Sequence, residues 1–329
     1  VISWEALRRI ACALAASGVV HETGAFRRPS NGIMLGMDAK PTQVDLPAPF
    51  RLAGDHVAVD LVGGRALFTT RRGGSSSGPY ASLNMGTTDG HQPADVLENR
   101  TRLEHSLGVA LAWGHQVHGT RVAVARPAPG PLAPARADAP ARADAPARAD
   151  APARADAPAR ADATVQADGQ ARADATVQAD GQATTLAGVA ATVMVADCLP
   201  VAIAGDGAVA MLHAGWRGLA AGVIAEGVGR VRELGARGPL SAAIGPGAGP
   251  CCYEVGDEVR AAFSAHGAAV RRGRNLDLGG IAARELERAG VRLVHDVGLC
   301  TICSDPSLFF SYRRDRGTTG RQAGLAWRI

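Results

Sequence analysis

Three side chains in this sequence have the types and spacing for metal or nucleophilic chemistry: His118, Cys198 and His213. Two of them lie in one stretch, residues 191–218, which reads ATVMVADCLPVAIAGDGAVAMLHAGWRG. Its apolar runs at 193–195, 201–204 and 208–212 are short, β-branched or small, and bounded by turn residues, so they predict buried strands. Gly205-Asp206-Gly207 reverses the chain between the second and third runs. Fifteen residues separate Cys198 from His213, which fits two antiparallel strands joined by that turn. His213-Ala214-Gly215-Trp216-Arg217-Gly218 then leads into a helical run expected over about 219–234. Strand ends followed by a Gly-rich entry to a helix are where α/β proteins place reactive groups.

His118 lies in LAWGHQVHGTRVAV, residues 111–124. Gly114 and Gly119 argue against a helix presenting His115 and His118 to one metal. In a strand, Gln116 and His118 would share a face and His115 would point away. A His₂Cys set with an open fourth position suits a catalytic zinc, and the same set could hold copper. The competing reading is a Cys–His nucleophilic pair, in which the imidazole lowers the thiol pKa. A second histidine is superfluous to a dyad, which favours a metal.

The elements that must position these groups start at about residue 51. Two strands are expected at 57–62 and 66–70, joined at Gly63-Gly64. The loop Arg71-Arg72-Gly73-Gly74-Ser75-Ser76-Ser77-Gly78-Pro79-Tyr80 follows. It could present backbone N–H groups and Arg71 to an anion, or be a flexible surface loop. Residues 93–107 predict a helix with Val96, Leu103 and Leu107 on one face. Downstream, a strand at 240–244 enters a Gly/Pro loop, and Asp257 is expected to cap a helix. A further helix is expected over 281–289, then a strand at 291–297 and a closing strand at the end. In the tail, Arg313, Arg314 and Arg321 stand beside aromatic and Gly-rich turns.

Composition bounds the rest. At 329 residues and 47% hydrophobic the chain can bury a sizeable core. A net charge of +4 with no basic block argues against a nucleic-acid partner. No apolar run approaches the roughly 20 residues of a membrane span, and a cytoplasmic location is expected. Lys40 is the only lysine, so the abundance of Arg is not in itself a sign of anion binding. The six cysteines do not suggest a disulfide framework. Cys300-Thr301-Ile302-Cys303 has zinc-knuckle spacing, but no second CxxC accompanies it, because Cys251 and Cys252 are adjacent. Buried thiols are the expected state there.

Two segments carry no chemistry. Residues 1–50 lack periodicity and read as an over-long start or a disordered extension. Residues 131–178 include the ARADAP, ARADAT and VQADGQ hexads, which begin at Ala135. They offer little apolar surface and read as a tandem expansion in a surface loop of the domain spanning 51–329.

Many ordered motifs make the chain similar to the laccase-domain proteins, a family described variously as multicopper polyphenol oxidoreductases, purine nucleoside phosphorylases and the peptidoglycan editing factor. They are Thr70-Arg71 with Gly73-Gly74, Ser82-Leu83-Asn84, Glu98-Asn99-Arg100, Gln116-Val117-His118-Gly119 and Ala196-Asp197-Cys198-Leu199-Pro200-Val201. The match continues through His213-Ala214-Gly215-Trp216-Arg217-Gly218, Ile244-Gly245-Pro246, Cys251-Cys252-Tyr253-Glu254-Val255, Cys300-Thr301, Phe310-Ser311-Tyr312-Arg313 and Thr319-Gly320-Arg321. The family's metal ligands fall on His118, Cys198 and His213. The resemblance implies a single α/β domain of mixed β-sheets packed between helices, related to Cys–His deamidating toxins. It also implies phosphorolysis of adenosine, inosine and methylthioadenosine, with adenosine deamination at the same zinc site. Small-molecule nucleoside and phosphate are the expected partners, in a monomer or homodimer. Arg71, Asn84, Gln116, Asp197 and Arg321 are expected to bind substrate, Arg71 also serving catalysis. Copper-dependent phenol oxidation and a Cys–His amidohydrolase acting on peptidoglycan precursors are the alternatives. The pattern departs from the family in the 80 positions between His118 and Cys198 and in the N-terminal extension. Ala179-Asp180-Gly181-Gln182-Ala183-Thr184 is the counterpart of the family's Ala-Asp-Ala-x-x-Thr element.

Overall fold

The computed structural model describes residues 45–87, 93–125 and 177–329. Most of the N-terminal extension and nearly all of the hexad repeat lie outside the described residues. The chain divides into two units at Ala48 and Pro49, and the second carries everything that follows.

Alternating or continuous apolar runs give the strands their faces. Antiparallel β1 (Arg51–Ala53), β2 (His56–Leu61) and β3 (Gly64–Phe68) open the unit. The helix Pro93–Leu107 leads to β4 (Ala110–Ala112) and β5 (Val122–Val124). After the repeat come β6 (Gly181–Thr184), β7 (Val189–Val195), β8 (Leu199–Asp206) and β9 (Ala208–Ala214). β10 (Arg237–Ile244) follows two helices. A small pair, β11 (Arg271–Arg272) and β12 (Asn275–Leu276), precedes the helix Leu278–Arg288. β13 (Leu293–Asp296) and β14 (Gln322–Arg328) complete the chain.

Two six-stranded mixed sheets result, in the orders β1-β2-β3-β14-β7-β4 and β13-β10-β8-β9-β6-β5. They lie face to face. Added Cβ atoms on three glycines show how closely: Gly64 would meet Val209 at 2.7 Å, Gly245 the Phe68 ring at 2.3 Å and Gly324 Pro200 at 2.5 Å. Leu103 and Met85 pack with Leu111, Met194 and Leu325 on one sheet. The helices Val223–Glu233 and Leu278–Arg288 bury Val223, Ile224, Val231, Ile281 and Leu286 against Ile203, Leu212 and Ala242 of the other. The expected architecture, mixed sheets between helices, is the one observed.

Local differences have local causes. The helical run expected over 219–234 is two helices, Trp216–Ala221 and Val223–Glu233, because Gly222 sits at φ 94° and breaks the ladder between them. Asp257 is the first residue of the helix Asp257–Ala262 rather than its cap; Gly256 holds the cap position. The helix expected at 281 starts three residues earlier, where the Asp277 carboxylate accepts the Gly280 N–H. No helix among the described residues is long and apolar enough to cross a membrane.

Candidate metal centre

β7 belongs to one sheet and β8 to the other, so Ala196-Asp197-Cys198 carries the chain across between them. Asp197 turns that corner at φ 84°, a left-handed conformation that Asp tolerates better than most residues. Its carboxylate accepts the Thr301 hydroxyl at 2.6 Å and the Arg313 N–H at 2.8 Å. Its carbonyl accepts the Ala248 N–H at 2.7 Å. Burial pushes the Asp197 carboxyl above its ordinary pKa, against these hydrogen bonds. Cys198 follows immediately and enters β8.

The hairpin register pairs Leu199 with Ala214 and Pro200 with His213. One step further, Cys198 faces Gly215, and the register thus returns thiol and imidazole to the same end. A Cβ on Gly215 would stand 2.8 Å from Cys198 Sγ and 3.5 Å from the His118 ring, so glycine leaves room for the ligand atoms. His118 is not on a strand as expected. The loop after β4 curls so that the N–H groups of Val117, His118 and Gly119 converge on the Asp180 carboxylate at 3.2, 2.8 and 2.7 Å. This backbone nest around an anion puts His118 at φ 62° and aims its ring at the other two groups.

Asp180 is the residue that sequence reasoning did not assign to the site. Besides the nest, its Oδ1 lies 2.9 Å from His213 Nδ1, with both side chains buried. It is the last Ala-Asp after a long run of Ala-Asp hexads, which hides it. The usable signal is position: this Asp stands where the repeat ends, just ahead of β6 and the apolar run of β7.

The ligand atoms of His118, Cys198 and His213 all lie within 4.8 Å of one another, with His213 buried and the other two half-buried. The imidazole rings meet edge to face at 4.8 Å between centroids. Burial opposes charge on Cys198, but the His213 charge and hydrogen bonds from both histidines outweigh it and hold the thiol down at about 6. Burial likewise opposes charge on His213, yet Cys198 and the Asp180 hydrogen bond raise its pKa to about 9. Burial would raise the Asp180 carboxyl too, but His213 and the nest hold it below the ordinary carboxylate value. The donor set therefore fits a soft or borderline cation. Asp180 engages Nδ1 of His213 and leaves Nε2 as ligand, the carboxylate–histidine arrangement common beside bound metals. Cys198 is poised as thiolate, the form a metal needs.

The remaining expected site residues make hydrogen bonds within the protein. The Gln116 amide pairs with both main-chain groups of Met194, its Nε2 donating at 2.8 Å and its Oε1 accepting at 2.7 Å, and so fastens the His118 loop to the end of β7. Asn84 Oδ1 accepts the N–H groups of Gly86 and Arg321, and its Nδ2 donates to the Gly86 carbonyl. The Arg321 guanidinium donates to the Thr319 and Gly320 carbonyls and lies over Tyr312. Arg71 does not stand free to meet an anion. Its guanidinium donates to the carbonyls of Ala81, Pro306 and Pro79 at 2.5, 3.0 and 3.3 Å and stacks on Phe310 at 4.4 Å. Nor is the Gly/Ser loop an open cradle. Its N–H groups at Gly74, Ser75 and Ser76 go to Ser82 Oγ, Asn99 Oδ1 and the Ser82 carbonyl. A cavity of about 470 Å³, lined by Asp55, His56, Arg72 and Arg102 among others, includes none of the three ligands.

Fold and site together define a mixed α/β protein with a His₂Cys centre set where the chain crosses between two sheets. The model of the family described as "Multi-copper polyphenol oxidoreductase laccase" matches residues 65–329, and the chain belongs to that family. A purine nucleoside phosphorylase of Pseudomonas aeruginosa is 36% identical over 295 residues, covering 86% of this chain and 96% of that protein. The purine nucleoside phosphorylase YfiH of Escherichia coli is 34% identical over 275 residues, covering 80% and 93%. Among solved structures, YlmD from Geobacillus stearothermophilus superposes with a TM-score of 0.62 at 32% identity, covering 81% of this chain and 92% of that one. A Neisseria meningitidis protein does so at 0.63 and 30%, covering 84% and 99%.

Proposed function

We propose that this chain is a zinc-dependent purine nucleoside phosphorylase acting on adenosine, inosine and methylthioadenosine, with adenosine deaminase activity at the same site. The observation that carries this reading is the convergence of His118, Cys198 and His213 within 4.8 Å, with Asp180 fixing the His213 tautomer. Relatives at 34–36% identity that bear the name purine nucleoside phosphorylase supply the substrate class. Zinc held by these three side chains would supply Lewis acidity for activating water and polarising a substrate atom.

This chain's own residues do the rest. His118 and Cys198 are half-buried, so substrate reaches the centre from their side, while buried His213 closes the other. Asp180 orients His213 and, through the nest, His118, so two ligands share one anchor. Asp197, held by Thr301 and Arg313, fixes the backbone from which Cys198 projects. Gln116 fastens the loop that carries His118 to the end of β7.

One observation favours a second reading. Without metal, Cys198, His213 and Asp180 form a depressed thiol, an imidazole and an orienting carboxylate, the parts of a Cys–His amidohydrolase. The deciding experiment is product analysis with adenosine, with and without phosphate, on metal-free and zinc-loaded protein. The expected result is adenine only with phosphate and inosine without it, both requiring zinc. Amide hydrolysis by metal-free protein, blocked by thiol alkylation and with no adenine at any phosphate concentration, would transfer the function to the second reading. Copper-dependent oxidation of phenols without adenine release would transfer it to laccase-type chemistry.

A further inference from the structure

Four cysteines expected as separate buried thiols come together in space. Cys251 and Cys252 lie in the loop after β10, Cys300 and Cys303 in the loop after β13, and their sulfurs all lie within 4.8 Å of one another. None is in a disulfide. We propose that Cys251, Cys252, Cys300 and Cys303 form a second metal site, a closed tetrahedral centre for one structural zinc ion.

The geometry is that of a site waiting for one small cation. Tetrahedral zinc with Zn–S bonds of about 2.3 Å separates its sulfurs by roughly 3.8 Å. The Cys251–Cys303 pair stands at 3.5 Å, and no pair exceeds 4.8 Å. An iron–sulfur cluster spreads its four thiolates over several irons and needs a wider ring. The loop is also shaped to the sulfurs. The Gly249 N–H points at Cys300 Sγ at 3.3 Å, a donor that stabilises thiolate. A Cβ on Gly249 would stand 3.1 Å from Cys300 Cβ and 3.4 Å from Cys251 Sγ, tighter than an ordinary contact. The Gly249 carbonyl accepts the N–H groups of both Cys252 and Tyr253, and this turn brings two consecutive cysteines to one point. The CxxC turn is closed by the Ser304 N–H on the Cys300 carbonyl.

Four protein ligands leave no open position, so the role is structural. The two loops already touch through Gly247 N–H to the Leu299 carbonyl and Thr301 N–H to the Gly247 carbonyl. They also supply Ala248 N–H and the Thr301 hydroxyl, two of the groups that hold Asp197. A zinc clip across them would fix the corner from which Cys198 enters the first centre. Binding replaces the thiol protons, which are released to solvent, and needs no oxidant.

Metal analysis of the full chain purified from zinc-supplemented cells tests this. Two zinc ions per chain are expected in the wild type, one in the Cys251→Ser/Cys303→Ser variant and one in His213→Ala. Wild-type stoichiometry retained in the folded double variant would overturn the proposal and leave the first centre standing. Undiminished zinc in His213→Ala would instead overturn the first centre. If the double variant fails to fold, Co(II) replaces zinc in metal-free His213→Ala. Intense sulfur-to-cobalt charge transfer with tetrahedral visible bands supports four thiolates, whereas a pale six-coordinate spectrum overturns them. Disulfides among these cysteines in freshly purified protein, seen as a mass loss of two hydrogens per bond, would also overturn the site.

Discussion

Replacing Asp180 with Asn changes one atom and should cost more than any conservative change elsewhere in the centre. The carboxylate Oδ1 accepts the His118 N–H and faces His213 Nδ1, and Oδ2 accepts the N–H groups of Val117 and Gly119. An amide satisfies only one side. With its NH₂ toward Val117 and Gly119, donors face donors and the His118 loop loses two charge-assisted hydrogen bonds, each worth about 1.5–3 kcal/mol. With its NH₂ toward His213, Nδ1 must accept, so Nε2 carries the proton and is lost as a ligand. Either way zinc affinity should fall about 10- to 100-fold, the usual cost of removing such a partner. Tm falls in either orientation, because an NH₂ replacing Oδ2 faces two loop N–H groups and one replacing Oδ1 faces the His118 N–H. Chelator competition measures the affinity and calorimetry of the metal-free protein measures the loop. Unchanged zinc affinity with a lowered Tm would refute the tautomer argument and leave Asp180 as a loop anchor only.

Other outcomes follow from the same geometry. His213→Ala removes a ligand and should abolish zinc at the first centre and turnover while circular dichroism is retained. In metal-free protein the Cys198 thiolate and His213 imidazolium stabilise each other. The Cys198 contribution is lost as pH falls through about 6, and that of His213 as pH rises through about 9, so Tm should peak between. Zinc must displace the His213 proton, so at pH 7 its apparent affinity should lie roughly a hundredfold below the value above pH 9; a flat titration would contradict the ion pair. Arg71→Ala removes three hydrogen bonds and a stacked contact in a half-exposed setting, so about 1–3 kcal/mol and several degrees of Tm should go. Adenine release and deamination should then fall together, and a loss confined to phosphorolysis would restore Arg71 as an anion ligand. Deleting residues 135–174 should shift Tm by less than about 5 °C, because the hexads have little apolar surface to bury.

What the sequence made legible was whatever a short run of residues decides alone. β7, β8 and β9 announce themselves because unbroken apolar runs admit few other fates, and the fifteen-residue spacing of Cys198 and His213 is a hairpin register read in advance. In the tail only one Arg-aromatic contact is local: Arg321 lies over Tyr312 at 5.8 Å, whereas Arg313 lies over the distant Tyr253 at 4.4 Å. The misses are all cases in which a distant partner decides. His118 looks like a strand residue until Asp180, 62 positions away, takes three successive N–H groups and bends the chain. Arg71 likewise gains a partner that no local reading supplies, the carbonyl of Pro306, 235 positions on. Adjacent Cys251 and Cys252 fail a search for paired CxxC motifs because that search assumes a zinc loop contributes its ligands from one regular turn. Here a glycine turn delivers both to the other loop.

The same contrast bears on how the centre is built. Among the described non-glycine residues only three have positive φ, and two of them, His118 and Asp197, are at or beside ligands. Such conformations persist where surrounding bonds over-determine them, and both are held by a carboxylate. Asp180 gathers the loop that carries His118, while Asp197 spends its own carboxylate on Thr301 and Arg313 to hold the corner that carries Cys198. His213 alone sits on regular strand, fixed by the hairpin register. Two ligands of three are therefore positioned by buried acids rather than by secondary structure. The centre should consequently lose its geometry before the sheets lose their packing. On heating or acidification of metal-free protein, amides of Val117, His118 and Gly119 should exchange with solvent before those of β8 and β9. Simultaneous exchange would mean that the nest is no weaker than the sheet that supports it.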